Sequence, residues 1–348
     1  MIINETKSLS VIIISHNQCE VVRRCIESIL KQETDFPVEI IVSDDRSTDG
    51  TKEMLLSEYS NKVKSTFFNS NQYNTSFTLE RAALNRINGL KLATGKYLIH
   101  IDGDDFFTST DLFQKMVDVL ELHPECTMCC QKYKSVTFDN LEKIIETCDS
   151  NEYFERESIL SAYQFIEEIP YLPNSCFCMR RLNTLNIDKL TSTTYDDIDI
   201  TIRYLSTGYV ALLNRSDFIY VQYPTSTCAT MSDSDKGVIF NSGITAILLA
   251  PHLSGVLIRK NLVGLITISR KAISNKNFSE NLLRYCSHFD LFIFNGLSNK
   301  ILLRDKIRFI KIFILSKIIR KFKIKKKFLI KKLYQLSVKE TINNDVII

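Results

Sequence analysis

Two apolar, β-branched runs, Leu9 to Ser15 and Val38 to Ser43, flank a segment of helical periodicity over roughly 19–31. This order constrains the fold more than any other feature of the chain. Strands that are apolar almost without alternation are buried on both faces, which requires a mostly parallel sheet with helices on either side, an α/β architecture. The pattern continues with a short strand around 63–68, a helix over about 78–93 and a strand that runs from Tyr97 to Asp102. In such a sheet ligands lie beyond the carboxyl ends of the strands. Three polar segments follow those ends: Ser15-His16-Asn17, Asp44-Asp45-Arg46-Ser47 and Asp102-Gly103-Asp104-Asp105. The order of elements aims all three at one crevice.

The last of these segments packs three carboxylates into four positions. Side chains two apart on an extended segment point the same way, so Asp102 and Asp104 are expected to converge, with Gly103 turning the backbone between them. Like charges that close raise one another's pKa unless a cation compensates. So few hard oxygen ligands suit Mg or Mn, which keep several waters and share their remaining positions with substrate phosphates. One reading is therefore a metal–diphosphate site. The other is a turn whose acids favour the N-terminus of a helix starting near Thr108 or Ser109. The first glycine of the chain is Gly50, which excludes the glycine-rich cradles of dinucleotide sites and phosphate loops after the first strand. A nucleotide in this crevice must be held by side chains and a metal.

At 348 residues the chain exceeds the size at which single cores stop growing, so one large domain with an appendage, or two domains, is expected. The polar stretch Met1 to Ser8 contains no apolar signal-like region, and ten cysteines fit a reducing cytoplasm. Cys126, Cys129 and Cys130 have no second pair with zinc-like spacing, and Cys176 and Cys178 alternate as strand residues do, so buried thiols are expected. Past about Ser135 the pattern loosens, with helices expected over 158–168 and 196–206 and a short strand near 175–180. The net charge of +4 conceals an asymmetry. Residues 304–332 hold thirteen Lys or Arg against the single acid Asp305, a local +12 that leaves −8 on the rest of the chain. Basic positions there interleave with Ile307, Phe309, Ile310, Ile312, Phe313 and Ile314 without an apolar run long enough to span a bilayer. Such a helix suits an anionic membrane surface. A terminal helix packed on the catalytic domain with a solvated basic face is the alternative, and sparse aromatics disfavour nucleic acid.

Taken together, Ser10 to Asn17, Ile40 to Thr51, and Ala93-Thr94-Gly95-Lys96-Tyr97 with Asp102 to Asp105 resemble the motifs of a family 2 glycosyltransferase of the GT-A fold, over roughly Leu9 to Thr227. Enzymes of this kind move a sugar from a nucleotide diphospho-sugar to an acceptor hydroxyl with inversion. The resemblance implies a catalytic domain over 1–230, with a nucleotide half to about 105 and an acceptor half after it, and a helical basic region over 231–348. It implies that Asp44 contacts the base, that Ser15 and Asn17 lie near the nucleotide, and that Asp102 and Asp104 hold a divalent metal and the diphospho-sugar, Asp104 more directly. Arg81 and Arg86 both fall where the family places a nucleotide-contacting arginine. Ile87 stands where that helix usually carries asparagine, if Gly89 is aligned on the family glycine. Tyr195 to Arg203 resembles the acidic pair at the head of a helix, which implies Asp197 as general base, with Asp196 and Arg203 on the acceptor side. Tyr223-Pro224 replaces a segment that usually carries histidine before proline. The implied partners are a UDP-sugar donor, a saccharide or lipid-linked acceptor of a bacterial surface polysaccharide, and the inner face of the cell membrane. A sugar nucleotidyltransferase is disfavoured by the absence of a glycine-rich first loop, and a glycoside hydrolase because its carboxylates flank the sugar. A catalytically inactive GT-A scaffold that binds a partner through the basic tail is the competing reading.

Overall fold

The structure, a computed structural model, describes residues 6–73, 78–147, 151–170, 172–183, 185, 187–190 and 197–226. All of them belong to the first of two units of the chain, Met1–Gly296 and Leu297–Ile348. The expected boundary near 230, the basic segment 304–332 and Asp196 lie outside the described residues.

In chain order the first half comprises β1 (Leu9–Ser15), α1 (Cys19–Leu30), β2 (Val38–Asp45), α2 (Thr51–Glu58), β3 (Lys64–Phe68), α3 (Thr78–Leu90) and β4 (Tyr97–Asp102). After it come β5 (Phe106–Phe107), α4 (Leu112–Leu122), β6 (Cys126–Thr137), β7 (Asn140–Thr147), α5 (Glu152–Glu155), β8 (Ile159–Leu160), α6 (Ala162–Glu168), β9 (Phe177–Arg180), α7 (Asp197–Leu205) and β10 (Tyr209–Gln222). The sheet order is β3-β2-β1-β4-β9-β6-β10-β5, with β7 beside β6 and β8 beside β10. The first four strands are mutually parallel. β9 then runs antiparallel to both β4 and β6, while β10 returns parallel to β6. The expected parallel sheet is therefore the nucleotide half, and the second half is mixed.

β1 lies at the centre of the first half, and Leu9, Val11, Ile12 and Ile13 are fully buried between the helices of the two faces. Each such side chain contributes roughly 1.5–3 kcal/mol by leaving water, and truncating one of them to alanine costs about 2–5 kcal/mol. α1 buries Val22, Cys25, Ile26 and Ile29, the i, i+3, i+4, i+7 stripe of an amphipathic helix. α3 approaches the sheet closely because residue 89 is glycine: a Cβ there meets Ile12 Cγ2 at 2.7 Å and Ser43 Cβ at 3.4 Å. Parallel register sets Ser15 beside Asp44 and Ile14 beside Asp102. The carboxyl ends of β1, β2 and β4 thus meet side by side at one edge of the sheet.

Candidate active site

The loops after β1 and β2 are tied to each other before they bind anything else. Asn17 takes a left-handed backbone, φ 53°, a conformation in which asparagine is among the more tolerated residues. Its N–H donates to Ser47 Oγ at 2.7 Å, and its Oδ1 accepts from the Thr48 N–H at 2.8 Å. Ser47 in turn donates its N–H (3.1 Å) and its hydroxyl to Asp44. Burial raises the Asp44 carboxyl and the two Ser47 donors oppose that rise. The Ser15 hydroxyl is buried beside Asp44 with no hydrogen-bond partner among the described residues. Asp49, from the β2 loop, accepts from the Cys19 N–H at 2.8 Å and so caps α1, whose own N-cap residue makes no such bond.

The two arginines of α3 have different surroundings. Arg81 donates to Asp45 Oδ2 at 3.2 Å and to Ser70 Oγ at 3.0 Å. Burial raises the Asp45 carboxyl, but the Ser70 bonds, Arg46 and Arg81 outweigh it and hold it below the usual carboxylate range. Arg86 is buried, and its two terminal nitrogens reach Asp102 Oδ1 and Asp197 Oδ1, each at 3.1 Å. Five helical positions turn a side chain by about 140°, so the two arginines face different neighbours. α3 does supply asparagines to the crevice floor: Asn85 Nδ2 donates to the carbonyls of Ser15 (3.2 Å) and Ser43 (3.0 Å). Asn88 Nδ2 donates to Ser43 Oγ at 2.9 Å and Thr66 Oγ1 at 3.1 Å. Ile87, at the position where the resemblance expects asparagine, is a core residue.

The acidic segment differs from the extended arrangement expected for it. β4 ends at Asp102, and the chain turns at once, with the Asp105 N–H donating to the Asp102 carbonyl at 3.1 Å. Strand alternation therefore does not bring Asp102 and Asp104 together; the turn does. Nor does Gly103 supply a left-handed backbone. It supplies space, since a Cβ there lies 2.9 Å from the Ile14 carbonyl and 3.2 Å from Val22 Cγ2. Desolvation and the Asp102 charge push the Asp104 carboxyl up to about 7. Desolvation also raises Asp102, opposed by Arg86 and reinforced by Asp197. Asp105 is buried, raised well above the usual range by desolvation and its two acidic neighbours, and accepts from the Val221 N–H at 2.9 Å. It is a tie between the turn and β10. Arg24 of α1 adds a second tie, donating to the Asp104 carbonyl at 2.8 Å and to the Tyr223 hydroxyl at 3.4 Å, with its guanidinium 4.8 Å from the Phe106 ring centre.

Asp197 opens α7. Its Oδ1 accepts from Arg86 and also from Asn174 Nδ2 at 2.9 Å. Its side chain is about one-third exposed and that of Asp102 about half exposed, so both carboxylates reach the crevice surface. Arg203 lies in the last turn of the same helix, about 9 Å along the axis from Asp197. The structure thus gathers Ser15, Asp44, Arg86, Asp102, Asp104 and Asp197 around one crevice, with Asn17 in its first loop and Arg81 on Asp45 at its side. Sequence reasoning missed Arg24 and Asn85, and reached Asn174 only as part of Pro173 to Arg181, the segment that the resemblance sets on the acceptor side. Only Asn174 carried a usable signal, a polar residue after proline just before an apolar strand.

Among the described residues no group of three or more His, Cys, Asp or Glu side chains is arranged to hold a metal unaided. Crowded carboxyls at Asp102 and Asp104 that hold on to their protons are nevertheless a suitable donor set for a divalent ion whose other positions come from water and a ligand.

The family model described as glycosyl transferase family 2 matches residues 10–182. An uncharacterized protein of Mycobacterium tuberculosis is 35% identical over 130 residues, 35% of this chain and 34% of the relative. An uncharacterized glycosyltransferase of Mycoplasma genitalium is 25% identical over 134 residues, 38% of this chain and 40% of its own. The matched segment spans a third to two fifths of the length of these curated relatives. Among solved structures, S. aureus TarS 1–349 in complex with UDP is 18% identical with a TM-score of 0.51, covering 87% of this chain and 78% of that one. The complex of the same protein with UDP-GlcNAc has a TM-score of 0.53 and covers 86% and 77%. At this identity the likeness is one of fold.

Proposed function

From the premise that the chain belongs to glycosyl transferase family 2 through residues 10–182 and has the GT-A fold, we propose the following activity. It transfers a sugar with inversion from a nucleotide diphospho-sugar, with UDP as the nucleotide, to a hydroxyl of a saccharide or lipid-linked acceptor. The product belongs to a bacterial surface polysaccharide. The observation that carries this reading is the shared guanidinium of Arg86, which brings the acidic turn and the separate carboxylate of Asp197 into one crevice. The choice of UDP is supported by the structural neighbours, TarS having been solved with UDP and with UDP-GlcNAc.

In this reading Asp44, with the exposed loop around Asn17, receives the base, and Ser15 offers its buried hydroxyl to the nucleotide. Arg81 stands at the side of that pocket and Arg86 beneath the diphosphate end. Asp102 and Asp104 would hold Mn or Mg, which would supply positive charge to offset that on the departing diphosphate. Asp197 accepts the proton of the acceptor hydroxyl as the oxygen bonds to the anomeric carbon and the bond to the diphosphate breaks. Asp196 and Arg203 belong to the acceptor side. Among the described residues no helix is long and apolar enough to cross a membrane. The basic segment 304–332 would hold the protein at the inner face of the cell membrane, where a lipid-linked acceptor lies. Loss of binding to anionic liposomes on truncation at Asn299 is the expected outcome, and persistent binding would place the contact elsewhere.

The experiment that tests the activity is calorimetric titration with UDP, GDP and CDP, each with and without Mn. Selective, Mn-dependent UDP binding is the expected result. No nucleotide binding at all would replace this reading with that of an inactive scaffold acting through its basic tail.

A further inference from the structure

The carboxylate read above as the general base is held from a direction that no part of that reading uses. Asn174 is buried, at 4% exposure, in a short 3₁₀ turn over Asn174–Cys176 that follows Pro173. The turn is closed by the Cys176 N–H donating to the Pro173 carbonyl at 2.9 Å, and it runs directly into β9, which pairs with β4 and β6. The Asn174 amide therefore sits on the rigid sheet rather than on a free loop. Its Nδ2 donates to Asp197 Oδ1, the same oxygen that accepts from Arg86. Two donors from different elements, α3 and the β9 turn, converge on one oxygen of a residue at the very start of a helix.

We propose that Asn174 is a positioning residue for Asp197: with Arg86 it fixes Oδ1 and thereby sets the direction in which the carboxylate meets the acceptor. This rests on the transferase reading of Asp197. Two donors on fixed elements meet the same carboxylate oxygen from different directions, and of the two Arg86 also divides its guanidinium with Asp102. Misplacement of a reacting group by about 1 Å costs on the order of 100-fold in rate, so loss of this bond is expected in turnover and not in donor affinity. Arg86 serves both carboxylates and is the less selective probe. Asn174 touches only the second.

Two variants test the proposal, Asn174→Ala and Asn174→Leu, the latter keeping the volume without a donor, so that a folding failure of one leaves the other. Crystal structures of the variants are expected to show the Asp197 carboxylate displaced or in two orientations. Steady-state UDP release from UDP-GlcNAc and UDP-glucose with Mn, the sugar passing to water as the acceptor, is expected to show kcat lowered about 10–100-fold with KM within twofold. In the Asp197→Asn background the same substitutions are expected to change the residual rate less than threefold, a result that a merely structural role would not give. An unmoved carboxylate in both variants, or an equal loss in the Asp197→Asn background, overturns the proposal. If the unaltered chain releases no UDP from either sugar nucleotide while UDP still binds, the choice of donor is in error. If UDP does not bind either, the transferase reading fails. In both cases the crystallographic displacement alone decides whether Asn174 positions Asp197.

Discussion

The two ends of the same strands treat a carboxylate in opposite ways. At the amino ends of β1, β2 and β4, Glu39 accepts from Ser10 Oγ, from the Thr94 N–H and hydroxyl and from the Gly95 N–H, and it pairs with Lys64. Burial pushes its carboxyl up, but Lys64, Ser10 and Thr94 more than offset this and hold it down at about 2. At the carboxyl ends, Asp104 is pushed up to about 7 by desolvation and by Asp102. One end spends its hydrogen-bond donors on a single acid and gains stability. The other crowds three acids together with Arg86 and Arg24 as the nearest cations, and the fold carries the cost. Unfavourable electrostatics concentrated at one end of a well-satisfied sheet is the pattern expected of a site that waits for a cation.

The largest expected effect that sharpens this contrast comes from Asp104→Ala. Titration with UDP in the presence of Mn should show affinity falling by more than about 100-fold, to the value seen without metal. The metal-free variant should melt no lower than the unaltered protein, because the substitution removes repulsion. Unchanged Mn-dependent affinity would remove Asp104 as a metal ligand. At the other end, Glu39→Ala should cost about 3 kcal/mol at neutral pH, the equivalent of its lowered pKa, read by chemical denaturation, with UDP affinity unaltered. A loss below about 1 kcal/mol would mean that Lys64 and the Thr94 donors find water as readily as the carboxylate.

The smallest effect is one of pH, and its sign differs between the two ends. Glu39 has a folded pKa below its unfolded value, so its contribution is present above about 4.5 and is lost as pH falls toward about 2. Asp104 has a folded pKa above its unfolded value, so the folded state binds the extra proton and stability falls as pH rises from about 4 through 7. Between pH 5.5 and 8 the raised carboxyls of the acidic turn lower stability as pH rises, whereas buried His100, held neutral in the folded state well below its ordinary value, opposes them because the unfolded chain protonates it as pH falls through about 6.5. The contribution of Asp104 should therefore raise the melting temperature of metal-free protein at pH 5.5 relative to pH 8 by a few degrees, roughly 2–4 °C per kcal/mol for a domain of this size. The difference should shrink with saturating Mn and in Asp104→Ala. An unchanged slope in that variant would assign the effect to other groups.

The nucleotide half was legible in the sequence because its strands are buried on both faces and read as continuous apolar runs. β1 and β4 lie within a residue or two of their expected places, and β2 runs on through Asp44 and Asp45. The second half was not, and the reason is specific. β6 is buried over its first six residues and then mixes intermediate with buried positions, so neither a continuous nor an alternating pattern persists along it. β10 is broken by Asn214-Arg215-Ser216-Asp217, where its register against β6 shifts. Arg215 is held there by Asp111 and Asp217, which keeps four polar residues inside one strand. In the candidate site, the residues at strand ends were legible because register alone brings them together. Asn174 and Arg24 were not, since each is defined by a partner more than twenty residues away.

The bond from the Val221 N–H to Asp105 joins residues 116 apart in the sequence, and this has a consequence for the chain as it is synthesised. β1 to β4 can pair as soon as residue 102 has left the ribosome, since their neighbours in the first half are already made. The acidic turn completes its support only after β10 emerges, about 120 residues later in a process that adds some 5–20 residues per second. For several seconds or more of synthesis the tie from β10 to Asp105 is therefore missing, while the partners Arg86 and Arg24 of the same turn have already been made.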